Sequence, residues 1–573
     1  MNIILTAMNA KYIHSNLAVY SLRAYAKAYK EEISIAEYTI NQQTDEILMN
    51  LYKRRPDMLC FSCYIWNLTY VENVIREIKK LLPDLPIWVG GPEVSYDARE
   101  VLRRLPEVTG VMMGEGEETF LELLEHYHLE GKDLSEIAGI AYRDEGGQIQ
   151  ENPWRPVIGL STVPFVYEDM SDFEHKIIYY ESSRGCPFSC SYCLSSVDKC
   201  LRFRDLDLVK KELQFFIDEE VPQVKFVDRT FNCNHKHAME IWKYILEHDK
   251  GITNFHFEVA ADLLNEEELQ LIESMRPGLI QLEIGVQSTN EVTIREIRRT
   301  MKFAEVARIV QRIQKNCNIH QHLDLIAGLP YEGLESFQKS FDDVYGLHPE
   351  QLQLGFLKVL KGSYMDKQRD VYGLVCKSKP PYEVLSTKWL SYDDILQLKM
   401  VEEMVEVYYN SGQFAHTLRR LEQEFESAFM LYVKLGAYYE KRGLFGISHT
   451  RIARYEILLD FIQSLCTGQE ALYLELLTFD LYLRENVKNR PDFAGESRIS
   501  KEELHAFYEK ESEEHRFLQG YDAYDKRQLR KMTHLERFSY DVAGDCGEKE
   551  MVYLFDYENR SSLTHQAAVY AIV

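Results

Sequence analysis

Residues 177–193 read IIYYESSRGCPFSCSYC. The opening apolar run has the length of a buried strand, and Cys186, Cys190 and Cys193 follow it in a short loop. Three thiolates at x3 and x2 spacing can wrap one compact metal centre, and Gly185 and Pro187 suit the tight backbone this requires. A 4Fe-4S cube usually takes four cysteines. Three leave one iron open, and an open coordination position is where a substrate or cofactor binds. The competing reading is a structural zinc site with Cys200 as fourth ligand, but zinc sites usually pair cysteines as two C-x2-C units and the x3/x2/x6 spacing fits that poorly. Cys233-Asn-His-Lys-His237 also has metal-ligand residue types and reads more simply as a polar loop.

Outward from this stretch the chain alternates strand and helix patterns. Strands are expected at Ile177–Glu181, Val224–Val227, Phe255–Val259, Ile280–Gly285, His322–Ile326 and Leu352–Leu357, with helices such as Leu206–Glu219, Lys236–Glu247 and Phe303–Gln314 between them. Six such units suit a partial (βα)6 barrel, whose reactive face lies at the carboxyl ends of its strands. Upstream, apolar runs at Ile3–Ala7, Ile33–Tyr38, Met58–Ser62, Ile87–Val89 and Gly110–Met113 alternate with amphipathic stretches. Runs of this kind predict a parallel sheet covered on both faces, a doubly wound α/β domain of Rossmann-like or flavodoxin-like type. Its ligands would lie beyond the carboxyl ends of the strands. Ile140–Tyr142, a turn at Asp144-Glu-Gly-Gly and Gln148–Gln150 form a small hairpin, and Pro153, Pro156 and Pro164 suit an extended linker. Past about residue 380 the strand signal fades and long amphipathic stretches, Tyr392–Tyr409 and Leu418–Lys441, dominate. The expected domains are residues 1–130, a connector at 131–170, a barrel at 171–370 and a mostly helical C-terminal domain at 371–573.

The 573 residues carry a formal net charge of −25, which argues against a general nucleic-acid binder, because phosphate neutralisation needs a basic surface. No run of about 18 apolar residues suggests a membrane span. The start, MNIILTAMNAKYIH, reads as a strand rather than a signal peptide. The 11 cysteines are therefore expected in a reducing cytoplasm, where clusters of them mean metal or redox chemistry.

Cys-x3-Cys-x2-Cys with Tyr192 before the last cysteine resembles the radical S-adenosylmethionine superfamily, over roughly residues 170–360. The resemblance implies that the open iron chelates S-adenosylmethionine and that an electron from the cluster cleaves it to a 5′-deoxyadenosyl radical. It also implies a partial six-stranded barrel. Leu282-Glu-Ile-Gly285-Val-Gln287-Ser288 looks like the family's fourth strand, and Asp324-Leu-Ile-Ala-Gly328-Leu-Pro330 like its fifth. The cofactor contacts so implied are Asp228, Glu258, Gln287 and Ser288, with Arg299 for the cofactor carboxylate and Tyr192 through its backbone.

A doubly wound domain ahead of such a barrel resembles the cobalamin-binding radical enzymes. Ser62, Trp66 and Asn67 follow strand three, Gly90 and Gly91 strand four, and Gly114, Glu115 and Gly116 strand five. Glycines there let a large planar ligand approach the backbone. The Asp-x-His-x-x-Gly motif that supplies a histidine to cobalt is missing, and His14 lacks its frame. Cobalamin would then bind without a protein histidine on cobalt. Cys60 and Cys63 read as core residues.

The C-terminal part resembles the uncharacterised extension of one subfamily. The implied activity is methyl transfer to an unactivated carbon of a small molecule or peptide, with an electron donor such as flavodoxin or ferredoxin. A radical enzyme without cobalamin (a methylthiotransferase, for instance) and an iron–sulfur or cobalamin-binding sensor remain alternatives.

Overall fold

In a computed structural model, residues 1–572 are described except Glu130 and Asp198. The chain divides into two compact units. The first comprises Met1–Asn316, Ile326–Leu334 and Gly355–Tyr392; the second comprises Cys317–Leu325, Glu335–Leu354 and the residues from Asp393 on.

The first unit begins with β1 (Ile3–Asn9), β2 (Ile33–Thr39), β3 (Met58–Ser62), β4 (Ile87–Gly90) and β5 (Gly110–Met112), all parallel, in the order β2-β1-β3-β4-β5. This is the flavodoxin-like doubly wound order. Every residue of β1 is buried, which is why these strands read as unbroken apolar runs. The helix Leu68–Leu81 packs Val71, Val74, Ile75 and Ile78 into the same core. The hairpin β6 (Ile140–Arg143) and β7 (Ile149–Glu151) extends this sheet past β5 as antiparallel strands, giving seven strands where the sequence suggested five and a separate connector.

β8 (Ile178–Tyr180) opens the second sheet, and β9 (Ser183–Arg184) pairs with β10 (Arg202–Phe203) on either side of the cysteine loop. β8, β11 (Gln223–Phe226), β12 (Asn254–Val259) and β13 (Ile280–Gln287) pair in parallel in that order. β14 (His320–Ala327) and β15 (Gln351–Phe356) follow, each with its carboxyl end in the first unit. The six strand–helix units of the expected partial barrel are therefore present. His14 in the loop after β1 forms a parallel bridge with Ile177, and Ser15 Oγ donates to Ile177 O at 3.1 Å, so β1 and the entry to β8 are stitched together.

The second unit is mostly helical, as expected, through Ala415–Leu421, Ala428–Arg442, Arg451–Leu465, Glu470–Arg484 and Lys501–Glu514. Glu470–Arg484 is its central helix, with residues from Leu472 to Leu483 almost all buried; buried Asp480 accepts from the backbone N–H groups of His416 and Thr417 at the start of another helix. The amphipathic stretch Leu418–Lys441 is divided between two helices by a break at Glu422–Ser427. The unit ends in a three-stranded antiparallel sheet, Thr533–Tyr540, Glu548–Arg560 and Ala567–Ile572, which the sequence reading missed. A π-helical turn at Val405–Asn410 brings the Asn410 amide against Leu352 of β15, accepting from its N–H and donating to its C=O, both at 2.9 Å.

Candidate active site

The carboxyl ends of the two sheets open on one cavity of about 1380 Å3 in the first unit. Ligand sites for drug-sized molecules are typically about 300–1,000 Å3, so this space suits something larger. Its wall includes Ser62, Trp66, Gly90, Gly91, Gly114, Glu115 and Gly116 on one side and Gly185, Cys193 and Arg229 on the other.

The cysteine loop is built to converge. Cys186 is buried, and burial raises its thiol pKa, with the Cys190 and Cys193 thiols close enough to push in the same direction. Thr230 Oγ1 lies 3.9 Å from its sulfur. Ser191, between the other two cysteines, is clasped on both sides, its N–H donating to Ile297 O at 3.0 Å and its carbonyl accepting from Met365 N at 2.8 Å. The Arg299 guanidinium reaches toward this loop. Its Nη1 stands 4.0 Å from Cys190 Sγ and 3.4 Å from Tyr192 Oη, and its Nη2 donates to the Gly285 carbonyl. Tyr192 therefore turns its side chain to Arg299, which the sequence reading did not foresee.

Gln287 ends β13 with φ at +72°, a conformation costly for a residue with a side chain, about 1–3 kcal/mol. Its Oε1 and the Nε of Arg299 are buried without a hydrogen-bond partner among the described residues. Buried polar atoms are nearly always satisfied. Two orphans beside a cysteine that faces a guanidinium fit a polar cofactor such as S-adenosylmethionine better than a finished core.

The other expected contacts are placed differently. Asp228 is almost fully buried, and its carboxylate accepts from Ser182 N at 2.9 Å, Ser182 Oγ at 2.7 Å and Ser183 Oγ at 2.6 Å. It anchors the strand that leads into the cysteine loop. Burial pushes its pKa up to about 7. Ser288 is buried, with Oγ donating to Glu332 at 2.5 Å. Glu258 is half-buried on β12, in register with Glu283 of β13. In the Cys233–His237 segment the ring nitrogens diverge: His237 Nε2 meets Ser182 Oγ at 3.1 Å, while His235 Nδ1 meets Glu268 at 2.9 Å. Burial takes His237 down to about 4 and Cys233 up to about 11.

On the opposite wall the backbone does most of the work. Gly91 has φ +109°, and a Cβ there would stand 2.6 Å from Cys63 O, so only glycine lets this turn close on the end of β3. Asn67 is wholly buried: Nδ2 donates to Met8 O at 3.1 Å and Ser62 O at 2.9 Å, and Oδ1 accepts from Tyr64 N at 2.8 Å. Its side chain ties down the loop and does not line the cavity. Trp66, 41% exposed, stacks on Tyr64 with centroids 4.4 Å apart. Ser62 Oγ lies 3.4 Å from Asn16 Nδ2, and the Gly114 N–H donates to Ser95 Oγ at 3.2 Å. Glu115 is held by Ile158 N at 2.8 Å and by Arg202. His14 lines the cavity but spends Nδ1 on Tyr179 Oη at 2.7 Å. Cys60 and Cys63 are buried, and burial raises the Cys60 thiol to about 12, as suits core residues. The proline-rich segment read as a linker is a third wall: Trp154 reaches to 3.3 Å of where a Gly114 Cβ would stand, and Val157, Leu160 and Val163 line the cavity. Its alternation of apolar residues with prolines was the available signal.

Among the described residues no helix is long and apolar enough to cross a membrane. Residues 3–124 match the B12 binding domain, residues 180–344 the Radical SAM superfamily and residues 370–555 a protein domain of unknown function, DUF4080. The chain is 26% identical over 303 residues to 2-(S-pantetheinyl)-carbapenam-3-carboxylate methyltransferase of Streptantibioticus cattleyicolor, covering 49% of this chain and 44% of that one. It is 25% identical over 350 residues to the cobalamin-dependent radical SAM methyltransferase TokK of Streptomyces tokunonensis, covering 57% and 51%. It is 22% identical over 347 residues to the anaerobic magnesium-protoporphyrin IX monomethyl ester cyclase of Rubrivivax gelatinosus, covering 57% and 61%. The chain thus spans about half the length of these curated relatives. Among solved structures it resembles OxsB, a cobalamin-dependent S-adenosylmethionine radical enzyme (TM-score 0.58, 16% identity, 83% of this chain and 78% of that one). It also resembles TsrM, a radical S-adenosylmethionine methyltransferase from Kitasatospora setae (TM-score 0.54, 17% identity, 67% and 80%). At these identities the likeness is one of fold. The cofactor set expected from the sequence, a 4Fe-4S cluster, S-adenosylmethionine and cobalamin, is that of the matched domains. With a B12-binding domain, a Radical SAM domain and DUF4080 in that order, the chain has the domain arrangement of a cobalamin-binding radical S-adenosylmethionine protein.

Proposed function

We propose that this chain is a radical S-adenosylmethionine enzyme that uses cobalamin to methylate an unactivated carbon of a small molecule or peptide. The observation that carries this reading is the single cavity of about 1380 Å3 whose wall includes both the glycine turns of the B12-type sheet and the cysteine loop. When bound, the cluster supplies the electron that cleaves S-adenosylmethionine, and cobalamin carries the methyl group.

The chain's own residues have separable tasks. Cys186, Cys190 and Cys193 would hold the cluster, whose remaining coordination position would be open to S-adenosylmethionine. Gln287 and Arg299 offer their orphaned atoms to S-adenosylmethionine, with Tyr192 and Glu258 nearby, while Asp228 and Ser288 hold the surrounding loops in place. Ser62, Trp66, Gly90, Gly91, Gly114, Glu115 and Gly116 frame the cobalamin position, and Asn67 braces that frame. Trp154 and Val157 add an apolar rim to that side of the cavity. The electron comes from an external one-electron carrier such as flavodoxin or ferredoxin.

Anaerobic reconstitution tests this. The protein should take up about four iron atoms and one cobalamin, form 5′-deoxyadenosine with dithionite, and pass the labelled methyl of S-adenosylmethionine to a substrate. A preparation with zinc in place of iron would end this reading. The cyclase relative supports a second outcome, in which the substrate undergoes ring closure and not methylation. That reading requires 5′-deoxyadenosine formation with no label transferred.

A further inference from the structure

We propose that Arg184 couples the two cofactor positions, so that filling either one strengthens binding at the other. This rests on the cofactor assignment above and adds a thermodynamic link between the two sites.

Arg184 lies on β9, two residues before Cys186. Three carboxylates surround its guanidinium. Nε donates to Glu181 Oε1 at 2.9 Å, Nη2 to Glu181 Oε2 and to Glu117 Oε1, both at 2.8 Å, and Nη1 stands 3.5 Å from Glu115 Oε1. Glu115 and Glu117 belong to the Gly114–Glu117 turn beyond β5, on the cavity's opposite wall. Neither is free to follow an independent course. Glu117 is 5% exposed and also accepts from Ser21 Oγ at 3.2 Å. Glu115 is pinned by the Ile158 N–H and by Arg202, the residue that pairs with Arg184 across β9 and β10. One cation on the stem of the cysteine loop is thus shared with the glycine turn.

A largely buried charge that loses its partner is expensive, because no water replaces it. The stem and the turn must therefore become ordered together. A loaded cluster would restrain residues 186–193 and the stem before them, and through Arg184 would further restrain Glu115 and Glu117, so that cobalamin has less motion left to remove from the turn. The coupling is reciprocal by linkage.

The test measures hydroxocobalamin binding by equilibrium dialysis to the full chain, with and without a reconstituted cluster, in the wild type, Arg184→Gln and Glu117→Gln. In the wild type the cluster should tighten cobalamin binding about tenfold, a typical coupling. In both variants the effect should fall to about threefold or less, the remainder carried by the Arg202–Glu115 pair, with iron uptake preserved in Glu117→Gln, which leaves the Arg184–Glu181 pair intact. If Arg184→Gln does not fold, Glu117→Gln decides. Equal affinities in the wild type, or a tenfold effect surviving in Glu117→Gln, overturn the coupling alone. Failure of the wild type to take up iron or cobalamin overturns the functional reading as well.

Discussion

The two walls of the cavity recognise by different means. On the barrel side the wall reaches Cys193, and behind it stand side chains with chemistry to offer: the Cys186 and Cys190 thiols, a strained glutamine with an unsatisfied oxygen, and a guanidinium beside a cysteine. On the B12-type side, shape carries it. There the polar residues Asn67 and Glu115 are spent on bracing loops, and a glycine turn does what a side chain does opposite. Ligation by named atoms tolerates no substitution. Recognition by backbone shape tolerates many, provided the turn can still close.

Removing the thiols should break the comparison most completely. Replacing Cys186, Cys190 and Cys193 together by alanine should lower iron from about four per chain to background by metal analysis. Cobalamin should still bind, at the weaker affinity of cluster-free protein.

Gly91→Ala sharpens the other side. The added Cβ would meet Cys63 O at 2.6 Å in a left-handed conformation, a cost of about 1–3 kcal/mol. Cobalamin affinity should fall at least about fivefold while iron uptake is unchanged. Gly90→Ala, whose nearest neighbour is a methionine side chain at 3.5 Å, should bind nearly as the wild type does.

Asn67→Ala should act on stability rather than on ligand contact. It removes a donor from Ser62 O and the acceptor of the Tyr64 N–H, while Met8 O keeps the Trp66 indole N–H at 3.2 Å, at a cost of about 1–3 kcal/mol. The melting temperature of the cofactor-free chain should drop; an unchanged melt with weakened cobalamin binding would return Asn67 to the ligand's contacts.

The last effect is a pH dependence, spread over about three pH units and partly masked. Asp228 titrates near 7 in the fold and near 3.8 unfolded, so the native state holds its proton longer. Stability from this group is therefore lost as pH rises from about 4 to 7, by on the order of 4 kcal/mol. His237, lowered to about 4 by burial, slopes the opposite way up to its ordinary value and masks part of this. The difference in melting temperature, Asp228→Asn minus wild type, should accordingly increase across that range.

Much of this architecture was legible because burial on both faces writes strands as apolar runs. The first five strands and the barrel strands begin and end within two residues of the expected positions. The cysteine loop was legible because ligation fixes residue type and spacing. Asp228 and Asn67 read as ligand contacts because they stand at strand ends, and a sequence does not tell whether a strand-end polar group faces a ligand or its own loop. The linker's role as a wall was hidden because prolines announce an extended chain without saying what it covers. The C-terminal sheet escaped because its strands follow charged segments at the end of a helical stretch.

The Asn410 amide beside Leu352 has a wider meaning. A carboxamide presents a donor and an acceptor at nearly the geometry of a peptide group, so one side chain serves as a strand one residue long. The last strand of an incomplete barrel is otherwise a template for a neighbouring chain. The wide turn at Val405–Asn410 delivers that plug. Deleting one residue to restore regular pitch would swing position 410 by about 100° and leave the edge open to self-association.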